Sequence, residues 1–157
     1  MNTTWETLAS CSWISTKYNL FLVGPGGAGK TFVASALCHE AFRQGHMAIY
    51  TEVMEISKHI ECKNSKYMQK LLRELASADL LVLDEFNSQA MTYEQQDLLC
   101  TLIDLRAKRG STAFLSRFPL HELGKCCPQL ETRLDLLFAR SYWMEFQSCG
   151  CQRRMKP

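Results

Sequence analysis

Gly24-Pro25-Gly26-Gly27-Ala28-Gly29-Lys30-Thr31 decides how the rest of the chain is read. It matches G-x-x-x-x-G-K-[ST] at every fixed position, and chance produces that pattern in under about 1% of chains this long. Each residue type has its own reason. Glycines permit the backbone turns that aim successive N–H groups at one anionic point, a nest for a β-phosphate. A helix beginning near Gly29 adds unpaired N–H groups and the positive end of its dipole. Lys30 reaches the β- and γ-phosphates, and the Thr31 hydroxyl is placed to ligate Mg²⁺. The expected ligands are therefore ATP and Mg²⁺.

The flanks supply the context this motif needs. Asn19–Val23 is a short apolar strand running straight into the glycines. Residues 30–44 turn helical, with Val33, Leu37 and Ala41 four apart and Gly45 as a stop. Residues 47–53 form the next strand. Met68, Leu71, Leu72 and Leu75 then mark one face of a helix.

Leu80-Leu81-Val82-Leu83, ending in Asp84-Glu85, is apolar on both faces, as a sheet covered by helices on both sides requires. Asp84 at its carboxyl end is the candidate Mg²⁺ ligand, and Glu85 the group that polarises a water attacking the γ-phosphate. Two solvated acids capping a buried strand are the bland alternative. An acid beside the metal aspartate favours hydrolysis over transfer to a small acceptor.

Farther on, residues 93–109 form a helix ended by Gly110, and Ser111–Ser116 a fourth strand. Leu130, Leu134, Leu137 and Phe138 mark a short helix, and residues 141–146 a fifth strand. Strands alternating with helices predict an α/β fold, a three-layer P-loop NTPase with a central, mainly parallel five-stranded sheet. The expected organisation is a lead-in over 1–18 with two tryptophans covering an edge of the core, the ATPase core over 19–146, and a basic, flexible tail over 147–157.

At 157 residues the chain is one domain with a proper core. Its 46% hydrophobic and 22% charged content excludes the disordered classes. The net charge of +2 argues that any grip on nucleic acid is local. No signal peptide and no run approaching the ~20 apolar residues of a membrane span is present, so an intracellular, soluble, cytoplasmic protein is expected. Cys126, Cys127, Cys149 and Cys151 lack Cys-x-x-Cys spacing, and the eight cysteines read as reduced thiols rather than a zinc site. His39, His46, His59 and His121 show no ligand spacing either.

The order GPGGAGKTFVASALCHEAFRQGHMAIYTEVMEI, LLVLDEFN, STAFLSRFPL and LETRLDLLFARSYWMEF resembles the IstB/DnaC-type AAA+ ATPases, transposition helpers and replicative-helicase loaders. The resemblance runs from about residue 19 to 146. It implies an AAA+ core of the ASCE type without a separate lid domain, with Lys30 and Thr31 on nucleotide and Mg²⁺, Asp84 on the metal and Glu85 catalytic. Where the family ends its fourth strand in Thr-Ser-Asn-Leu-Pro, this chain has Leu115-Ser116-Arg117-Phe118-Pro119. Arg117 replaces the Asn that senses the γ-phosphate; Ser116 orienting water, or Arg117 touching phosphate, are the substitutes. Thr132-Arg133-Leu134 matches the family's Asp-Arg-Leu, which makes Arg133 the candidate arginine finger acting in trans. A surface arginine is the alternative.

The family's closing Gly-x-Ser-Tyr-Arg is not recognisable in residues 147–154, and only eighteen residues precede the first strand, short of the extension with which loaders grip a helicase. The resemblance further implies a homo-oligomer formed on ATP or DNA, DNA contact that is indirect or through assembly, and a helicase or transposase partner. Basic candidates for DNA are Lys58, Lys63, Lys66, Lys70 and Arg73, then Arg106, Lys108 and Arg109, then Arg153, Arg154 and Lys156. Competing readings are a nucleotide-binding module with little turnover and a small P-loop kinase. Residues 120–130, the only stretch available as a kinase lid, contain no arginine.

Overall fold

The computed structural model describes residues 3–61, 65–86, 90–119, 122, 128–147 and 154–156. Six strands form one sheet in the order β2-β3-β4-β1-β5-β6. They are β1 (Asn19–Val23), β2 (Ala48–Glu52), β3 (Leu80–Phe86), β4 (Ser111–Ser116), β5 (Ser141–Glu145) and β6 (Arg154–Lys156). The first five are all parallel, as expected. The sixth adds a short antiparallel edge, with Trp143 opposite Lys156. Pairing there satisfies the outer N–H and C=O groups that β5 would otherwise leave unpaired.

Successive residues of each central strand feed opposite faces, and both faces are dry. Leu20, Leu22, Leu80, Val82, Ala113 and Leu115 pack against α1 (Thr3–Ala9), α2 (Ser12–Ser15) and α3 (Lys30–Arg43). Phe21, Leu81, Leu83 and Phe114 face the other layer: α4 (Val53–Glu61), α5 (Ser65–Ser77), α6 (Tyr93–Arg106) and α7 (Glu131–Phe138). Phe21 anchors that side, stacked on Phe114 at 4.8 Å and edge-on to Phe138 at 4.9 Å between ring centres. The lead-in does more than cover an edge, because Trp13 is fully buried and its indole N–H donates to the Leu8 carbonyl.

Arg106 corrects an expectation. It was a DNA-contact candidate, but it is 2% exposed. Its guanidinium donates to the carbonyls of Leu75 (2.6 Å), Ala78 (2.9 Å) and Ser111, and to the Thr112 hydroxyl (2.9 Å). It ties the end of α5 to the start of β4 from inside, and burial pulls its pKa down to about 10. Gly110 makes room for it: a Cβ there would lie 2.6 Å from the Ala78 oxygen and 2.7 Å from Arg106 Nη2. Lys63 and Arg153 fall outside the described residues, as do the side chains of Arg154 and Lys156.

Candidate functional site

The strand order builds the site. β4 lies between β1 and β3, so the carboxyl end of β4 separates the glycine loop after β1 from the acids ending β3. Val23 pairs with Ser116 on one side, and Phe86 with Ser116 on the other. Ligands of open parallel sheets bind beyond these carboxyl ends.

α3 begins at Lys30 behind Gly29, which has φ +94° and offers no side-chain cap. α6 contrasts with it. There Thr92 and Gln95 form a reciprocal capping box that satisfies the first N–H groups. The first N–H groups of α3 have no such side-chain cap. Gly24 is required by space: a Cβ would sit 2.5 Å from the Phe146 carbonyl oxygen and 2.7 Å from the Phe146 Cβ. Phe146, the residue after β5, thus forms the back wall of the loop.

Within the loop, Lys30 Nζ donates to the carbonyls of Gly24 (2.6 Å) and Pro25 (2.8 Å). Burial lowers its pKa, opposed by the nearby Glu85 and Asp84 charges. Thr31 Oγ1 donates to Asp84 Oδ2 at 2.9 Å, which brings the two candidate Mg²⁺ ligands together across 53 residues of chain. The same oxygen accepts the hydroxyl of Tyr50, the middle residue of β2. Asp84 Oδ1 accepts the Glu85 amide at 2.7 Å. Thr31 and Asp84 are hard oxygen donors, the set that suits Mg²⁺.

Glu85 stands in a register shift between β3 and β4 and has φ +53°, the left-handed region. The bulge re-aims its side chain off the pleat. Its Oε1 accepts from Arg117 Nη2 at 3.0 Å. That contact raises the Arg117 pKa. The Ser116 hydroxyl is committed elsewhere, donating to the Phe118 carbonyl and accepting from the Phe118 amide, both at 3.1 Å.

Lys30, Thr31, Asp84, Glu85 and Arg117 therefore converge, around the backbone of Gly24, Pro25, Gly26, Gly27, Ala28 and Gly29. Arg133 does not join them. It makes a two-pronged pair with Asp104, with contacts of 2.8 to 3.0 Å, and donates to the Gln129 carbonyl. It lines a cavity of about 400 Å³ with Lys17, Asn19, Lys108, Thr112 and Arg140. That cavity lies at the amino ends of β1 and β4, so Arg133 faces away from its own chain's loop.

Sequence reasoning missed a role for Tyr50. Its place inside the strand expected over residues 47–53 was visible, but its bond to Asp84 depends on which strand lies beside β2. Among the described residues no cluster of three or more His, Cys, Asp and Glu side chains is arranged to hold a metal, and no helix is long and apolar enough to cross a membrane. Cys11, Cys38 and Cys100 are free thiols; the four cysteines weighed for zinc and His121 lie outside the described residues.

The chain is similar to known proteins over most of its length. An insertion-sequence IS1162 ATP-binding protein of Pseudomonas fluorescens is 37% identical over 114 residues, 72% of this chain and 49% of the relative. The insertion-sequence ATP-binding protein y4uH of Sinorhizobium fredii is 27% identical over 97% of this chain and 63% of its own length. The chain thus spans about half to two thirds of these relatives. The fold is shared with the DnaC helicase loader (TM-score 0.76, 19% identity, 92% of this chain and 89% of that one). It is also shared with the initiator DnaA bound to AMPPCP and single-stranded DNA (0.75, 19%, 92% and 46%). These are AAA+ P-loop NTPases. The IstB-like ATP binding protein family matches residues 2–135, most of the chain and all of the converging site, and the chain belongs to that family.

Proposed function

We propose that the chain binds ATP with Mg²⁺ and hydrolyses it to ADP and phosphate, as the ATPase core of a DNA transposition or replication helper. The observation carrying this reading is the insertion of β4 between β1 and β3, which sets Glu85 beside Arg117 at the mouth of the glycine loop. In this reading the loop amides and the α3 amino end hold the β-phosphate, and Lys30 leaves the Gly24 and Pro25 carbonyls to bridge β and γ oxygens. Thr31 and Asp84 hold the Mg²⁺, which supplies charge neutralisation of the phosphates. Glu85 accepts a proton from water as the water oxygen bonds to the γ-phosphorus and the bridging oxygen leaves on ADP.

The names of the relatives and fold neighbours, insertion-sequence ATP-binding proteins, a helicase loader and a DNA-bound initiator, support a DNA-directed role. Arg133, turned away from its own loop, fits a finger offered to a neighbouring copy, and a homo-oligomer assembled on DNA follows. A helicase or transposase is the expected partner, and the cytoplasm the expected location. The ion pair between Glu85 and Arg117 favours one second reading, a nucleotide-binding module with little turnover.

The test is phosphate release from ATP, with and without single- and double-stranded DNA, comparing wild type with Glu85→Gln. DNA-stimulated turnover lost in the variant supports the proposal. Phosphate transferred to a small acceptor overturns it in favour of a kinase, and tight binding without turnover in favour of the module.

A further inference from the structure

We propose that the cavity at the amino ends of β1 and β4 is an anion site that takes a phosphate group, at the opposite end of the sheet from the glycine loop.

Its floor is rich in donors. Asn19, the first residue of β1, is 7% exposed and lines this cavity of about 400 Å³. Its Oδ1 accepts the Thr112 amide at 2.9 Å, which fixes the direction of the side-chain amide. Among the described residues its Nδ2 has no hydrogen-bond partner. That nitrogen is not sealed in, since among the described residues Gln96 Oε1 is the one fully enclosed side-chain atom without a partner. It opens onto the cavity, a donor in a buried residue with nothing from the chain to receive it. Beside it, Arg106 spends its guanidinium on the Thr112 hydroxyl and on backbone carbonyls, all neutral. A buried guanidinium bonded to no carboxylate leaves the floor positive.

The rim has the same sign. Lys17, Lys108 and Arg140 line it, and among the described residues neither lysine makes an ion pair. Arg140 is steadied over the Tyr18 ring at 5.3 Å and by the Thr16 carbonyl. Asp104, the carboxylate of the lining, is held by Arg133 through three contacts. Five cations, counting Arg106 and Arg133, therefore face one carboxylate. A phosphate monoester, with close to two negative charges at neutral pH, answers that excess better than a single carboxylate, and its oxygens match the guanidinium fork. Ile103, Leu136 and Leu137 add an apolar wall for the body that carries the phosphate.

The backbone of the two lysines is a further sign. Lys17 and Lys108 have φ of +61° and +66°, the left-handed region where glycine is the easy residue, as Gly45 is after α3 with φ +88°. A cation beyond a helix end also answers the helix dipole, but α2 is a single turn, and the dipole gives Asn19 no role. The site is separate from a finger offered in trans, because Asn19 and Arg106 lie too deep to reach a neighbour's loop.

The experiment is calorimetric titration of the full chain, at fixed ionic strength, with inorganic phosphate and with a short single-stranded oligonucleotide carrying or lacking a 5′-phosphate. Wild type is compared with Asn19→Asp, Lys17→Gly, Lys108→Gly and Lys30→Ala. Asn19→Asp keeps the acceptor for Thr112 at nearly constant volume and turns the donor into a carboxylate oxygen. It is expected to weaken phosphate about thirty-fold, the size of a lost hydrogen bond to a charged group. Each lysine variant suits the left-handed backbone, removes one exposed charge and is expected to cost about three-fold, which keeps the test open if Asn19→Asp does not fold. Lys30→Ala is expected to retain the binding. A gain from the 5′-phosphate that Asn19→Asp removes supports the site and names a strand end as the source. Phosphate binding lost in Asn19→Asp, with an oligonucleotide indifferent to its 5′-phosphate, supports it and names a small phosphate compound. Binding lost in Lys30→Ala and kept in the cavity variants assigns the phosphate to the glycine loop and overturns the proposal, as does a wild-type chain that binds no phosphate.

Discussion

The Tyr50 hydroxyl, on an edge strand, and the Thr31 hydroxyl, on the helix behind the glycine loop, donate to the same oxygen of Asp84. Partners of this kind orient a metal-ligating carboxylate, and their loss typically weakens metal binding by about 10–100-fold. Burial, and then the bond to Asp84, raises the Tyr50 pKa, so the phenol stays a donor at neutral pH. Tyr50→Phe is expected to raise the Mg²⁺ concentration needed for half-maximal nucleotide binding about ten-fold, with stability changed by about 1 kcal/mol or less. An unchanged Mg²⁺ titration would show that Tyr50 serves only the edge of the sheet.

Gly24→Ala is expected to remove nucleotide binding and to destabilise the fold by about 1–3 kcal/mol, the range for overpacking. The added methyl meets the backbone of Phe146, whose amide is tied to the Val23 carbonyl at 2.7 Å and which has no flexible end to move aside. Urea unfolding and nucleotide titration on one preparation check both halves.

Arg106→Leu is expected to be severe, about 3–5 kcal/mol, because it leaves the carbonyls of Leu75, Ala78 and Ser111 buried without their donor. Arg106→Lys recovers only part of this, since an ammonium cannot reach all four acceptors with the planar fork of a guanidinium. The shift in the urea midpoint at constant slope is the measurement. A near-neutral Arg106→Leu would contradict the internal tie.

Burial pushes the Cys38 thiol up to about 11, from an ordinary 9.0. Folding therefore keeps a proton that the unfolded chain loses, and this contribution to stability is complete below pH 9 and lost as pH rises through 11. At pH 9 about 1% of folded Cys38 is thiolate, against about half in the unfolded chain. Alkylation at that pH, followed peptide by peptide, is expected to be slow at Cys38 and to become fast in urea. Fast labelling of the folded chain would place Cys38 in solvent.

The central strands β1 and β3 were legible because each is a short apolar run whose two faces are both covered, as Leu20–Val23 and Leu80–Leu83 show. The glycine loop and the Asp84-Glu85 pair were legible for a different reason: phosphate and metal chemistry demand particular residue types at fixed local spacing. The sixth strand, the burial of Arg106 and the outward placement of Arg133 were not. A basic residue in the last turn of a helix looks the same in sequence whether it meets solvent or a ring of carbonyls.

What the sequence by itself determined about this protein is therefore local: the five parallel strands, the phosphate loop and the helix behind it, and which residue types stand at the ends of β1, β3 and β4. The tertiary structure alone decided which of them meet. Tyr50 and Asp84 are 34 residues apart, Glu85 and Arg117 32, and Arg106 and Leu75 31. Periodicity reports which face a residue takes, while these contacts depend on the order in which strands lie side by side. That order places β4 between the phosphate loop and the acids, and with it Arg117 against Glu85.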